Sequence, residues 1–93
     1  MQVVLVHWYV TAGREDEFMR CRTPTPADTP GFRGETLYRL MDQPDADVTR
    51  FVNIGQWDSR EDFQRKYGTA PTSQKDFEAK PRKRVWLTPV ESV

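Results

Sequence analysis

Asn53 and Trp57 stand four residues apart in FVNIGQWDSREDF (Phe51 to Phe63), whose first half reads as a strand and whose second half reads as a helix. Strand side chains alternate between faces, so Phe51, Asn53, Gly55 and Trp57 share one face and Val52, Ile54 and Gln56 the other. A carboxamide beside an indole can do chemistry. An amide N–H aimed at a developing oxyanion stabilises it by about 2.7–4 kcal/mol in preorganised sites. The indole supplies a flat wall and one N–H donor. His7 is the chain's single histidine. With a reference pKa of about 6.5 it is the best general base available, provided it faces the same cavity. A lone strand histidine is otherwise a satisfied structural group. Tyr9, Tyr38 and Tyr67 are reserve acids or hydrogen-bond partners, each with packing as its plainer role.

Other chemistries lack their residues. One histidine, one cysteine (Cys21) and scattered acids give no metal-ligand spacing, so no metal is expected. No glycine-rich phosphate loop is present to hold a nucleotide-based cofactor. Cys21 alone excludes an internal disulfide, and a buried, reduced thiol in a cytoplasmic protein is expected. Lys plus Arg equals Asp plus Glu, 14 against 14, which argues against nucleic acid as a partner. The basic run KPRKR (Lys80 to Arg84) reads as a solvated loop. The opening MQVVLVHWYV has no positive n-region and is too short for a membrane span, so no membrane partner is expected.

The elements that must position these residues follow from periodicity. Residues 3–10, VVLVHWYV, form a strand that is apolar on both faces: Val3, Leu5, His7 and Tyr9 on one, Val4, Val6, Trp8 and Val10 on the other. A helix begins near Glu15 with acids at its positive end and stops near Arg22, because Pro24 disfavours a helical Thr23. Phe18 and Cys21 or Arg22 lie at helical spacing. The proline-rich TPTPADTPGF holds at most one short turn, from Pro24 or Pro26. Residues 34–41 and 49–57 form a hairpin around DQPDAD. Asp58 or Ser59 caps the next helix, with Glu61 completing a capping box if Asp58 is the cap. Phe63 and Tyr67 share a face of that helix, and Gly68 ends it. Residues 73–79 are expected to form a second short helical piece anchored by Phe77. RVWLTPVESV is the last strand, with Pro89 suggesting an edge or a bulge.

The order is β-α-β-β-α-β, a ferredoxin-like α+β domain spanning 1–93 as a single unit. A chain of 93 residues buries only about 60–65% of its unfolded surface and gains from a partner subunit. Two helical segments cover one face of a four-stranded sheet and leave the other bare. A homodimer packed sheet to sheet is therefore expected.

The element order, the length and the strings NIGQWDS (Asn53 to Ser59) and YGTAP (Tyr67 to Pro71) resemble the antibiotic biosynthesis monooxygenase family of dimeric α+β barrels. The resemblance is strongest to members that convert anthrone-type aromatic polyketides to quinones without metal or flavin. It implies that Asn53 and Trp57 line a substrate cavity between sheet and helices; Phe63, Tyr67, Phe77, Tyr9 and Tyr38 are the candidate substrate contacts around them. It further implies a small aromatic substrate with O2 and no bound cofactor, with a reduced flavin supplied by a partner left open. The chain departs from the pattern at Phe63, where those members carry a tyrosine, and at Phe77, where they carry an arginine. A haem-degrading branch places an asparagine on the first strand and a histidine after the tryptophan. This chain has neither, which argues against haem degradation. The reaction so implied has His7 taking a proton from the ring carbon or phenol, directly or through water. Asn53 then holds the oxyanion, and Trp57 keeps the ring flat while oxygen attacks. A non-oxidative cyclase or aromatic-ligand binder on the same scaffold is the alternative, favoured by Phe63 and Phe77.

Overall fold

The computed structural model describes residues 1–93, arranged as β1 (Gln2–Thr11), α1 (Glu15–Cys21), β2 (Phe32–Arg39), β3 (Val48–Trp57), α2 (Arg60–Tyr67) and β4 (Glu78–Leu87). The strands form one antiparallel sheet in the order β2-β3-β1-β4. This is the ferredoxin-like topology expected from the sequence. The doubly apolar β1 takes a central place, pairing with β3 from Gln2–Trp57 to Thr11–Val48 and with β4 on its other side.

Register sorts the side chains. Val4, Val6, Trp8 and Val10 of β1 lie on the helix-covered face with Phe51, Asn53, Gly55 and Trp57 of β3. Two apolar clusters form there. Val10, Phe18, Phe51 and Phe77 make one, and Val4, Trp57 and Phe63 the other. The Phe18 ring lies 4.7 Å from Phe51 and 5.1 Å from Trp8, which fixes α1 to the sheet through one buried residue. Phe63 does the same for α2, meeting Trp57 edge-on at 5.4 Å and Trp86 at 5.1 Å. The opposite face presents Val3, Leu5, His7 and Tyr9 with Val52 and Ile54, and no helix covers it.

Helix ends follow local chemistry. Ser59 caps α2: its Oγ accepts the Asp62 N–H at 3.2 Å and donates to the Asp62 carboxylate at 2.9 Å. Ser59 and Asp62 thus make the reciprocal cap, while Asp58 pairs with Arg33 and Glu61 takes no part. Gly68 terminates α2 at φ 78°, a conformation that disfavours any side chain. A second glycine matters for packing. A Cβ on Gly55 would lie 3.3 Å from Trp57 Nε1, so the missing side chain lets the indole lie close over the sheet.

Several expectations are corrected. Residues 73–79 form no helix; the Glu78 N–H donates to the Lys75 carbonyl to close a turn, and β4 begins at Glu78 rather than at Arg84. A segment whose only large apolar residue is Phe77 cannot supply a helical stripe, whereas Glu78 pairs with Val10 across the sheet. KPRKR is therefore strand, not loop. Pro81 is tolerated because β4 is an edge strand and its register slips opposite Trp8. β2 spans Phe32–Arg39 rather than 34–41. Cys21 is exposed rather than buried, since Phe18 is the one residue of α1 that the sheet buries.

Candidate active site

The helix-covered face does not close completely. Between the two apolar clusters lies a cavity of about 320 Å³. Val4, Val6 and Trp8 form its floor, and Trp57, Phe63 and Tyr67 form one aromatic wall. This is room for a flat, ring-bearing molecule.

Asn53 projects into this cavity from the centre of the sheet, opposite Val6 of β1 and Leu37 of β2. Its Oδ1 accepts from Arg22 Nη2 at 2.9 Å. A guanidinium only donates, so this contact fixes which amide atom is oxygen and leaves both Nδ2 hydrogens unused by the protein. The same Arg22 nitrogen donates to Glu35 Oε2 at 2.7 Å. The pair is well covered, with 14% and 12% of the two side chains exposed. Glu35 Oε1 in turn accepts the Thr25 N–H at 3.3 Å. Arg22 arrives because it follows α1 one turn after Phe18, and Glu35 because it shares the inward face of β2 with Leu37. The arrangement Glu35–Arg22–Asn53 presents an amide donor, backed by a cation, to the cavity.

The rest of the lining is aromatic and basic. The Tyr67 hydroxyl and Thr25 Oγ1 share a hydrogen bond of 2.6 Å, which ties α2 to the proline-rich segment across the cavity. Trp57 is 1% exposed and stands edge-on to Tyr67 and Phe63. From β4, Arg82 stacks on Trp8 at 4.6 Å and bonds to the buried Glu78 at 3.0 Å, while Arg84 lies 4.9 Å over Phe63. Burial and the neighbouring Arg82 lower the Arg84 pKa.

The expected site residues divide by face. Asn53, Trp57, Phe63, Tyr67 and Phe77 line the cavity. His7, Tyr9 and Tyr38 do not. Because Val6 pairs with Asn53, His7 pairs with Val52 and the pleat sends it to the uncovered face. There its Nδ1 is 3.5 Å from Arg50 Nη2, and its pKa is lowered by burial and by Arg50 and Lys83. Tyr9 packs against Arg50 and Lys80 on that face, and Tyr38 is 52% exposed there. Phe77 contributes from a turn, not a helix. The sequence reading missed Arg22, Glu35, Thr25, Arg82 and Arg84. One signal was available: an acid on the inward face of β2 needs a partner, and Arg22 lies four residues after Phe18 on the face that α1 buries.

No group of three or more His, Cys, Asp and Glu side chains is placed to hold a metal ion. No helix is long and apolar enough to cross a membrane.

Residues 1–69 match the family model described as antibiotic biosynthesis monooxygenase. No curated protein sequence matches the chain. Among solved structures it is similar to a protein from Nitrosomonas europaea described as an antibiotic biosynthesis monooxygenase, at 23% identity and a TM-score of 0.72, covering 98% of this chain and 100% of that one. It is similar to the heme-degrader MhuD from Mycobacterium tuberculosis with two hemes in its active site, at 22% identity and a TM-score of 0.61, covering 98% of each chain. It is also similar to the ActVA-Orf6 monooxygenase of Streptomyces coelicolor in complex with nanaomycin D, at 20% identity and a TM-score of 0.56, covering 99% of this chain and 89% of that one. At these identities the likeness establishes the fold.

Proposed function

The chain belongs to the antibiotic biosynthesis monooxygenase family, and on that premise we propose that it oxidises a flat phenolic or anthrone-like polyketide to a quinone with O2 and without a bound cofactor. The observation that carries this reading is the Asn53 amide, oriented by Arg22 so that its N–H groups face an aromatic-walled cavity. The similar structure holding nanaomycin D lends support.

The chemistry needs no carrier because the ionised substrate is itself the reductant. Loss of a proton from the ring CH2 of an anthrone gives an enolate, and its charge rests on the ring oxygen. Asn53 N–H donation, with Arg22 behind it, stabilises that oxyanion. His7 is on the wrong face to take the proton. Glu35 is the only carboxylate lining the cavity and takes this role, with water as carrier. The ring carbon gives one electron pair to O2, one oxygen atom bonds to it, and the peroxide recovers the proton. Loss of the second ring hydrogen with cleavage of the O–O bond yields the quinone carbonyl and one water. Trp57 and Phe63 hold the ring plane throughout.

A non-oxidative cyclase or aromatic binder is the second reading. Phe63 and Phe77 favour it, because both put hydrocarbon where a quinone-former would use a polar group. Oxygen uptake with an anthrone in metal-free, flavin-free buffer separates the two: binding without oxygen consumption supports the second. We also propose that the uncovered sheet face pairs with a second copy of the chain. The half-exposed Val3, Leu5, Val52 and Ile54 support this.

A further inference from the structure

Arg84 is a cation at the cavity wall without a counter-charge. Arg22 is neutralised by Glu35 and Arg82 by Glu78. Arg84 donates only to the carbonyls of Gly68 (3.0 Å) and Tyr67 (3.4 Å). A guanidinium carries five N–H donors, so these two contacts leave the others free for a ligand. The plane of Arg84 is steadied by the Phe63 ring beneath it. Lys75 is the other unpaired lining cation, but it is exposed, and an ion pair in water is worth little. Arg84 is half-buried, where a counter-ion gains more and a bidentate carboxylate fits the fork.

Register places this cation relative to the amide. Asn53 pairs with Val6, and Val6 pairs with Arg84. The three lie in one row across β3, β1 and β4, so the backbones of Asn53 and Arg84 are two strand spacings apart, about 9.6 Å. That span suits a fused-ring system with a polar group at each end.

We propose that Arg84 is a carboxylate subsite, so that the substrate is an aromatic acid whose rings lie across Val6, with the oxygen to be activated at Asn53 and its carboxylate at Arg84. This deepens the oxygenase reading and rests on it for the word substrate. The subsite itself is testable by binding alone.

Two quinones that cannot be oxidised further serve as probes: anthraquinone-2-carboxylate and its neutral isostere anthraquinone-2-carboxamide. Quenching of the cavity tryptophans Trp8 and Trp57 reports binding. The wild type should bind the carboxylate about 10- to 100-fold tighter than the carboxamide, as a charged hydrogen-bonded pair would. Arg84→Gln should bring the two affinities within about twofold of each other by weakening the carboxylate alone, and Lys75→Gln should keep the preference. No preference in the wild type, a preference retained in Arg84→Gln, or one lost in Lys75→Gln overturns the proposal. If Arg84→Gln does not fold, Arg84→Lys reads the same contact, because it keeps the charge and loses the fork. An unchanged preference in Arg84→Lys overturns the bidentate subsite, and a reduced one supports it. Absence of oxygen uptake with an intact carboxylate preference would sink the oxygenase reading and leave the subsite standing.

Discussion

Replacing Arg22 by Met tests whether the Glu35–Arg22–Asn53 arrangement is structural, catalytic or both. The substitution keeps most of the side-chain bulk and removes the charge. Glu35 is then left as a covered carboxylate, 12% exposed, whose remaining contact is the 3.3 Å bond from Thr25 N–H. Breaking one partner out of a buried pair costs about 3–5 kcal/mol. The pair is not fully enclosed, with 14% and 12% of the side chains exposed, so the lower end, about 3 kcal/mol, applies. For a domain of this size each kcal/mol moves Tm by about 4–8 °C, which predicts a fall of about 12–24 °C by calorimetry. Removing both charges relieves the stranded carboxylate. Arg22→Met with Glu35→Leu should therefore return to within about 1 kcal/mol of the wild type. Its turnover should stay low, because the base Glu35 is gone and nothing then holds the Asn53 amide with its N–H groups toward the cavity. A double variant whose loss equals the sum of the two singles would refute the pairing argument. A double variant that recovers both stability and full turnover would refute the orienting role of Arg22 and the base role of Glu35 together.

Other outcomes follow from the two faces of the sheet. His7 on the uncovered face predicts that His7→Gln leaves kcat and its pH profile unchanged in the steady-state oxidation assay. The same residue predicts a pH effect on stability. Its folded pKa lies below the usual 6.5, so the unfolded chain binds the extra proton first as pH falls. Stability should therefore decline as pH drops below about 6.5, level off once the folded histidine is also protonated, and lose this component in His7→Gln in parallel urea titrations. Sheet-to-sheet dimerisation predicts a species of twice 10.9 kDa by sedimentation at micromolar concentration, and a monomer for Ile54→Arg, whose charge would face the partner sheet. A stable, folded wild-type monomer would contradict it.

Element order was legible in the sequence because the strands carry strong local signals. β1 is apolar on both faces, Pro24 follows α1, and Gly68 ends α2. The pairing of Asn53 and Trp57 on one face was legible for the same reason, since alternation within a strand is fixed by the backbone. Whether His7 joined them was not, because that depends on the register between β1 and β3, which only the folded sheet sets. Phe77 was correctly read as an anchor and wrongly placed on a helix. Its burial comes from contacts with Phe18, distant in sequence, rather than from local periodicity. Arg22 and Glu35 were hard to find because each reads alone as an ordinary surface charge. Only the arrival of the α1 terminus over the β2 edge brings them within 2.7 Å.

The central claim is that the Asn53 amide stabilises an oxyanion while O2 adds to the ring. Its most direct test is the steady-state oxidation of 1,8-dihydroxyanthrone under isotopically labelled oxygen, without metal or flavin, by the wild type and by Asn53→Ala. The account predicts one labelled oxygen atom in the new quinone carbonyl, one O2 consumed per quinone, and a kcat lower by about 10²–10³ in the variant with its fold intact. Unlabelled quinone, or an Asn53→Ala enzyme that turns over like the wild type, would contradict it.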